Sequence, residues 1–277
     1  MHSLLASGVD WHVVWVRIGH PNHPFFLALT RTVYIAVIAQ IMGVILGLFA
    51  ALMRMSKLRI FRILSGIYVW IFRGTPLLVQ IFFIYYASNQ LLGFTLIPNS
   101  LNVGLFSLDG AIFAGILALG VNEGAYMREI VRAGIDSIDK GQMEAAKSLG
   151  MRYGLAMRRI VLPQAARVII PPLGNEFNNM LKNTSLLFAI GVYEMFADAE
   201  IGYSNSFQPT EYFLGVAFWY LVLTTVWTFI QAAIERKLAA SERGEDLTFR
   251  ERWQEAWNPV SARMFSGSGP GAGQGIR

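Results

Sequence analysis

The chain contains no cysteine, which removes disulfides and thiolate metal sites from consideration. Charge is scarce as well: 15% of residues are Asp, Glu, Lys or Arg, against about 25% in soluble domains. Histidine is confined to His2, His12, His20 and His23. All four precede the first long apolar run, so no in-membrane cluster exists to hold a metal. No Gly-Lys dipeptide occurs anywhere, which excludes a Gly-x4-Gly-Lys-Ser/Thr phosphate loop.

What is abundant is apolar surface. Hydrophobic residues make up 54% of the 277 positions and the mean hydropathy is +0.44. Five segments are long enough to cross a bilayer: residues 33–53, one within 63–92, 111 to about 127, 168–193 and 212–234. A helix rising about 1.5 Å per residue needs roughly 20 residues to cross a hydrocarbon core of about 30 Å. The third segment is marginal unless its helix continues past Arg128. The reading is an all-α integral membrane protein with one domain of five spans.

The net charge of +5 invites nucleic acid as a partner, but the placement of the basic residues has a membrane explanation. Residues 54–62 carry four Lys or Arg, residues 128–167 carry eight, and the segment after the fifth span carries seven. Residues 89–110 and 194–211 carry none. By the positive-inside rule the basic loops and the C-terminus are cytoplasmic and the N-terminus is outside. Residues 1–24 form an extracytoplasmic segment in which Trp11 and Trp15 can anchor at the outer interface, with no pattern of a cleaved signal peptide. Residues 25–240 form the transmembrane domain. Residues 241–277 form a cytoplasmic tail, disordered from about 264, where a Gly- and Ser-rich run has too little apolar surface to order itself.

Polar residues inside the spans are the candidates for function. On a wheel of about 100° per residue, Asn175, Glu176, Asn178, Asn179, Lys182, Asn183 and Ser185 fall on one half of the fourth span. Phe177, Met180, Leu181 and Thr184 fall on the other. A charge at a helix centre costs about 2.5–3.5 kcal/mol on the insertion scale, so this half either pairs with neighbouring helices or lines a polar pathway. Glu176 suits a positive group in such a pathway, and Lys182 a negative one. Glu123, in the third span, admits the same two readings, with Arg128 or Arg132 as its structural partner. Pro171 and Pro172 interrupt the helical ladder and mark a break or a kink. Gly74 and Pro76 mark another, beside Arg73. Gly43 and Gly47 form a small-xxx-small pair that admits a close helix.

Between the third and fourth spans the chain reads Glu144-Ala145-Ala146, then Gly150, then Ile160-Val161-Leu162-Pro163. Residues 144–149 suit a short helix that Gly150 ends in the left-handed conformation. Residues 152–160 suit a second, broken by Pro163. The spacing resembles the EAA loop of ABC-importer permeases. Arg73-Gly-Thr-Pro, Gly124-Ala-Tyr, Lys140-Gly-Gln, Pro171-Pro-Leu-Gly-Asn-Glu and Leu181-Lys-Asn-Thr-Ser extend the likeness to permeases for polar amino acids over about residues 25–240.

That resemblance implies a five-helix type I ABC-importer permease with cytoplasmic EAA coupling helices, residing in a bacterial inner membrane. It implies ATPase coupling through Glu144, Ala145, Ala146, Gly150, Ile160, Leu162 and Pro163. The partners implied are a cytoplasmic ABC ATPase that binds ATP and magnesium, a second permease subunit, identical or homologous, and an extracytoplasmic amino-acid-binding protein. No catalytic residue or cofactor is expected on this chain. The candidate pathway comprises Glu123, Asn175, Glu176, Asn179, Lys182 and Asn183. A channel or secondary transporter working on ion gradients is the alternative; it accounts for the polar face but leaves the EAA spacing without a purpose.

Overall fold

The computed structural model describes residues 8–87, 90–91, 93, 96–98, 100–103 and 106–243. The expected order–disorder boundary near 264 lies outside the described residues. The chain forms two compact units, Met1–Leu223 and Thr224–Arg277.

Helix α1, Trp11–Gly19, is capped by the Asp10 carboxylate, which accepts from the His12 and Val13 amides. Helix α2, His23–Met55, starts well before the apolar run because the Asn22 side chain accepts from the Phe25 amide at 3.0 Å and a proline occupies its first turn. At about 1.5 Å per residue, its 33 residues reach well beyond a hydrocarbon core of about 30 Å. Its small residues, among them Ala28, Ala36, Ala39 and Gly43, are buried, whereas Ile38, Ile41, Ile45, Phe49 and Leu52 are exposed. Small inside and large outside is the pattern of a helix packed on helices and facing lipid.

Helix α3, Arg59–Gly74, and α4, Leu77–Phe82, are separated by Thr75 and Pro76 in extended conformation. A π-helical turn, Phe83–Ala87, continues α4, and the chain bends by 108° across the break. Two short strands follow, β1, Ser100–Val103, and β2, Phe106–Asp109, antiparallel with Ser100 opposite Asp109 and Val103 opposite Phe106. This hairpin is the one departure from an all-helical chain among the described residues. The Asp109 side chain then caps α5, Gly110–Asp136, by accepting from the Ala111 amide.

Helix α5 is the centre of the first unit and packs on α2 and α3. Gly43 and Gly47 make the α2 contact possible, since a Cβ on Gly43 would collide with the Glu123 side chain and one on Gly47 with Met127. After α5 come α6, Lys140–Ser148, and α7, Tyr153–Ala156. A π turn, Met157–Val161, leads into α8, Leu162–Asn183, which ends in the 3-10 turn Thr184–Ile190. Gly191, at φ +83°, closes that turn. Residues 194–211, read from sequence as a loop, contain α9, Met195–Ser206, capped by Glu194. Helix α10, Pro209–Arg243, completes the described chain.

Among the described residues, three helices are long and apolar enough to cross a membrane: His23–Met55, Gly110–Asp136 and Pro209–Leu238. The bent pair of α3 and α4 makes a fourth if it is one span. The expected span over 168–193 does not reach that threshold, because its polar half dilutes the apolar one.

A polar layer ties α1 to α9 and α10. Arg17 pairs with Asp198 at 2.5 Å, and Tyr193 donates its hydroxyl to the same carboxylate at 2.6 Å. The Asp10 amide donates to Glu211 at 2.8 Å, and the Trp219 indole N–H to the Arg17 carbonyl at 3.2 Å. Beneath this layer Phe25, Met195, Ala199 and Val216 form an apolar cluster.

Candidate functional site

The 140–163 segment owes its shape to two caps. Asp139 accepts from the Gly141 amide at 2.6 Å and starts α6 four residues before the Glu144 that sequence pointed to. At the other end Gly150 stands at φ +78°. Its amide donates to Lys147 at 2.9 Å, and the Met151 amide donates to Ala146 at 3.0 Å. This crossed pair is a Schellman motif, which needs a left-handed residue at the Gly150 position. Glu144 and Ala145 are exposed, while Ala146 and Ala156 are buried, where α6 and α7 pack together. Leu149, Tyr153, Leu155 and Leu162 present exposed apolar side chains along the same segment.

Two proline readings need correction. Pro163 does not break the second helix: the path runs from α7 through the π turn into α8. There the Leu162 amide donates to the Met157 carbonyl five residues back, and this shifted register absorbs the missing N–H of Pro163. Nor do Pro171 and Pro172 divide α8, which continues through both. Each ring already holds a helical φ, and packing on either side, such as Ile169 over Gly134 and the buried Phe177, holds the helix together.

The break at Gly74 and Pro76 is built around amides that sequence reasoning passed over. Gln80 donates to the Phe72 carbonyl at 2.9 Å and to the Thr75 carbonyl at 3.0 Å. Asn122 donates to the same Phe72 carbonyl and to the Gln80 Oε1, both at 2.9 Å. The carbonyls freed at the bend are thus satisfied by side chains, as buried backbone requires. A lone amide in an apolar span is the signal by which Gln40, Gln80 and Asn122 could have been found.

Glu123 is 5% exposed and accepts from the Gln40 side chain at 3.0 Å. Arg128 is not its partner; that guanidinium binds Glu129 and the Ser65 hydroxyl, and Arg132 also binds Glu129. Glu176 of α8 is close enough to Glu123 for their charges to interact.

Helix α8 divides as the wheel did. Phe177, Met180, Leu181 and Thr184 are buried within the chain, whereas Asn175, Asn179 and Lys182 are exposed and Glu176, Asn178 and Asn183 are half-buried. The buried Asn178 Oδ1 has no hydrogen-bond partner among the described residues. The exposed side of this helix therefore carries Asn175, Asn179 and Lys182. Outside the spanning segments, Glu194 is fully buried, which pushes its carboxyl above the usual range. Donors from Tyr220, the Phe196 and Ala197 amides and Thr32 oppose that shift.

Residues 43–240 match the family described as the inner membrane component of binding-protein-dependent transport systems. The chain belongs to this family. It is 42% identical over 233 residues to an arginine transport system permease protein of Corynebacterium glutamicum, covering 81% of this chain and 70% of that one. An L-cystine transport system permease protein of Bacillus subtilis is 41% identical over 239 residues, 84% of this chain and 93% of the relative. Among solved structures, an amino acid ABC transporter crystallised with histidines superposes with a TM-score of 0.67 at 37% identity, covering 77% of this chain and 94% of that one.

Proposed function

We propose that this permease carries a polar or charged amino acid into the cytoplasm by alternating access, and that the exposed half of α8 lines the route. The observation that carries this reading is the inversion of α8. Phe177, Met180 and Leu181 are buried inside the protomer, while Asn175, Asn179 and Lys182 face outward. Lipid is no environment for such a face. Facing a second permease subunit across a two-fold axis, it bounds a water-filled cavity instead. Leu162–Asn183 with the 3-10 turn after it then makes the fifth crossing, as broken or polar backbone does where it lines a cavity.

In this reading the coupling segment, with Glu144, Ala145, Ala146, Gly150, Ile160, Leu162 and Pro163, seats in a separate cytoplasmic ATPase. The exposed Leu149, Tyr153 and Leu155 are its apolar contacts. ATP and magnesium are held there, and an extracytoplasmic binding protein delivers the amino acid. The basic segments 54–62 and 128–167 lie in the cytoplasm and the N-terminus lies outside. Glu176, with Glu123 behind it, faces the positive group of the substrate, and Lys182 faces its α-carboxylate.

The test is transport by the assembled complex. Asn179→Leu and Lys182→Leu are expected to lower ATP-driven uptake far more than Met180→Ala or Leu181→Ala. Single cysteines on the polar half, in a chain with none of its own, should react with aqueous thiol reagents. Equal protection of both halves in every nucleotide state would remove the pathway from α8.

A further inference from the structure

Arg54 lies in the last turn of α2, Arg59 opens α3, and Arg62 follows one turn later. With Ile63, Ile67 and Trp70 they line a cavity of about 430 Å³. One end of this cavity is cationic and the other is apolar. Gly66 also lines it, with open space where a Cβ would stand. From Arg59 to Trp70 helix α3 rises about 16 Å, a length on the scale of an acyl chain.

Nothing in this part of the chain neutralises the arginines. The sequence holds no Asp or Glu between Asp10 and Asp109. Among the described residues no carboxylate pairs with Arg54, Arg59 or Arg62. Arg62 donates to the Ser56 and Lys57 carbonyls, both at 3.2 Å, which pins its guanidinium over the turn. The start of α3 has no side-chain cap at Leu58, so the partial positive charge of its first turn adds to theirs. Balancing bulk cytoplasmic charge requires no such gathering, nor an apolar slot beside it. Trp70 is 76% exposed and Ile67 47%, large apolar surfaces that continue the slot along α3.

We propose that this cavity binds an anionic phospholipid of the cytoplasmic leaflet. Its phosphate sits among Arg54, Arg59 and Arg62, and one acyl chain lies along Ile63, Ile67 and Trp70. Basic pockets beside spanning helices recognise anionic headgroups in this way. The leaflet, though not the chemistry, rests on the cytoplasmic placement of residues 54–62 set out above. The site lies at the α2–α3 turn, apart from the coupling segment and from the polar half of α8, so occupancy is separable from transport.

The test is native mass spectrometry of the full chain with its ATPase, exchanged into equal amounts of phosphatidylglycerol and phosphatidylcholine. Wild type is expected to retain phosphatidylglycerol selectively. Each arginine near an anionic lipid surface is worth roughly a fivefold change in affinity, so Arg54→Gln/Arg59→Gln should weaken that preference about 25-fold. Both side chains are exposed, so folding should survive, and Arg54→Lys/Arg59→Lys should keep most of the preference. Trp70→Ala should shorten retention of either lipid. Equal retention of both lipids by wild type, or an unchanged preference in the glutamine variant, would overturn the proposal. So would displacement of phosphatidylglycerol by inorganic phosphate, which would make the cavity a small-anion site. A disulfide between Ile67→Cys and a second permease chain would make this face a subunit interface and overturn it equally. Ser56→Cys, probed with an impermeant thiol reagent from each side, reports the leaflet separately. Labelling only from outside would remove the cytoplasmic placement even with lipid selectivity intact.

Discussion

Replacing Gly150 separates backbone conformation from packing, because a Cβ at this position meets nothing within 4 Å. A substitution that keeps the amide acts there through φ, which stands at +78°. An ordinary residue in the left-handed region costs roughly 1–2 kcal/mol, so Gly150→Ala should lower the equilibrium constant of the turn about five- to thirtyfold. Asparagine tolerates this region better than alanine, and Gly150→Asn should fall between glycine and alanine. Proline holds φ near −65° and also removes the amide that donates to Lys147 at 2.9 Å, a further loss of about 0.5–1.5 kcal/mol. The Schellman crossing cannot form at all in Gly150→Pro. The assay is ATP-driven uptake and ATP hydrolysis by the complex in proteoliposomes, with membrane insertion measured in parallel. Activity should rank Gly, Asn, Ala, Pro, with Pro inactive and all four inserted equally. If proline transports like glycine, the turn does not matter to coupling. If asparagine fails as completely as proline, φ is not the reason.

Two further perturbations address the framework. At Gly47 a Cβ would collide with Met127 and lie 2.9 Å from the Arg128 amide and 3.0 Å from the Gly124 carbonyl. Because backbone cannot give way, Gly47→Ala should cost about 1–3 kcal/mol by overpacking, whereas Gly19→Ala, with open space around it, should not; equal thermal midpoints for the two variants would refute the close α2–α5 approach. At Glu194 the folded-state pKa is raised by burial, so its stabilising contribution is complete below the ordinary carboxylate range and is lost as pH rises through the raised value. Glu194→Gln should flatten that decline in a thermal-midpoint profile, and a wild-type profile already as flat as the variant's would show that desolvation does not govern this carboxyl.

The helical wheel of α8 was legible because burial follows side-chain chemistry. Phe177, Met180 and Leu181 are buried and Asn179 and Lys182 are not, whatever the helix packs against. The Gly150 turn was legible for a similar reason, since φ preference belongs to the residue itself. Caps were harder. Hydropathy started the first span at Val33, yet Asn22 caps a helix beginning at His23, and Glu194 likewise organises a helix in a stretch that composition alone reads as loop. Prolines misled in the other direction. A missing N–H disfavours a helix locally, but a π turn before Pro163 and tertiary packing around Pro171 and Pro172 override it. Partner choice was out of reach for periodicity. Arg128 and Arg132 were the cations nearest to Glu123 in sequence, whereas the observed partner, Gln40, is on another helix 83 positions away.

The consecutive polar pair Asn122 and Glu123 gives α5 a role that neither residue has alone. Neighbours on a helix point about 100° apart, so the two side chains address different helices at one level. Asn122 reaches the bend between α3 and α4, where it and Gln80 hold the Phe72 carbonyl. Glu123 reaches Gln40 of α2 and senses Glu176 of α8. One turn of α5 therefore joins the broken helix and the long outer helix through buried hydrogen bonds. The same helix runs without interruption to Asp136. The Ser137 hydroxyl then donates to Gly134, the Ile138 amide donates to Ile135, and Asp139 caps α6. No unbonded linker intervenes between the intramembrane amides and the segment that carries Glu144 and Gly150. Asn122 and Glu123 thus stand on the same continuous hydrogen-bonded path of α5 that leads to α6.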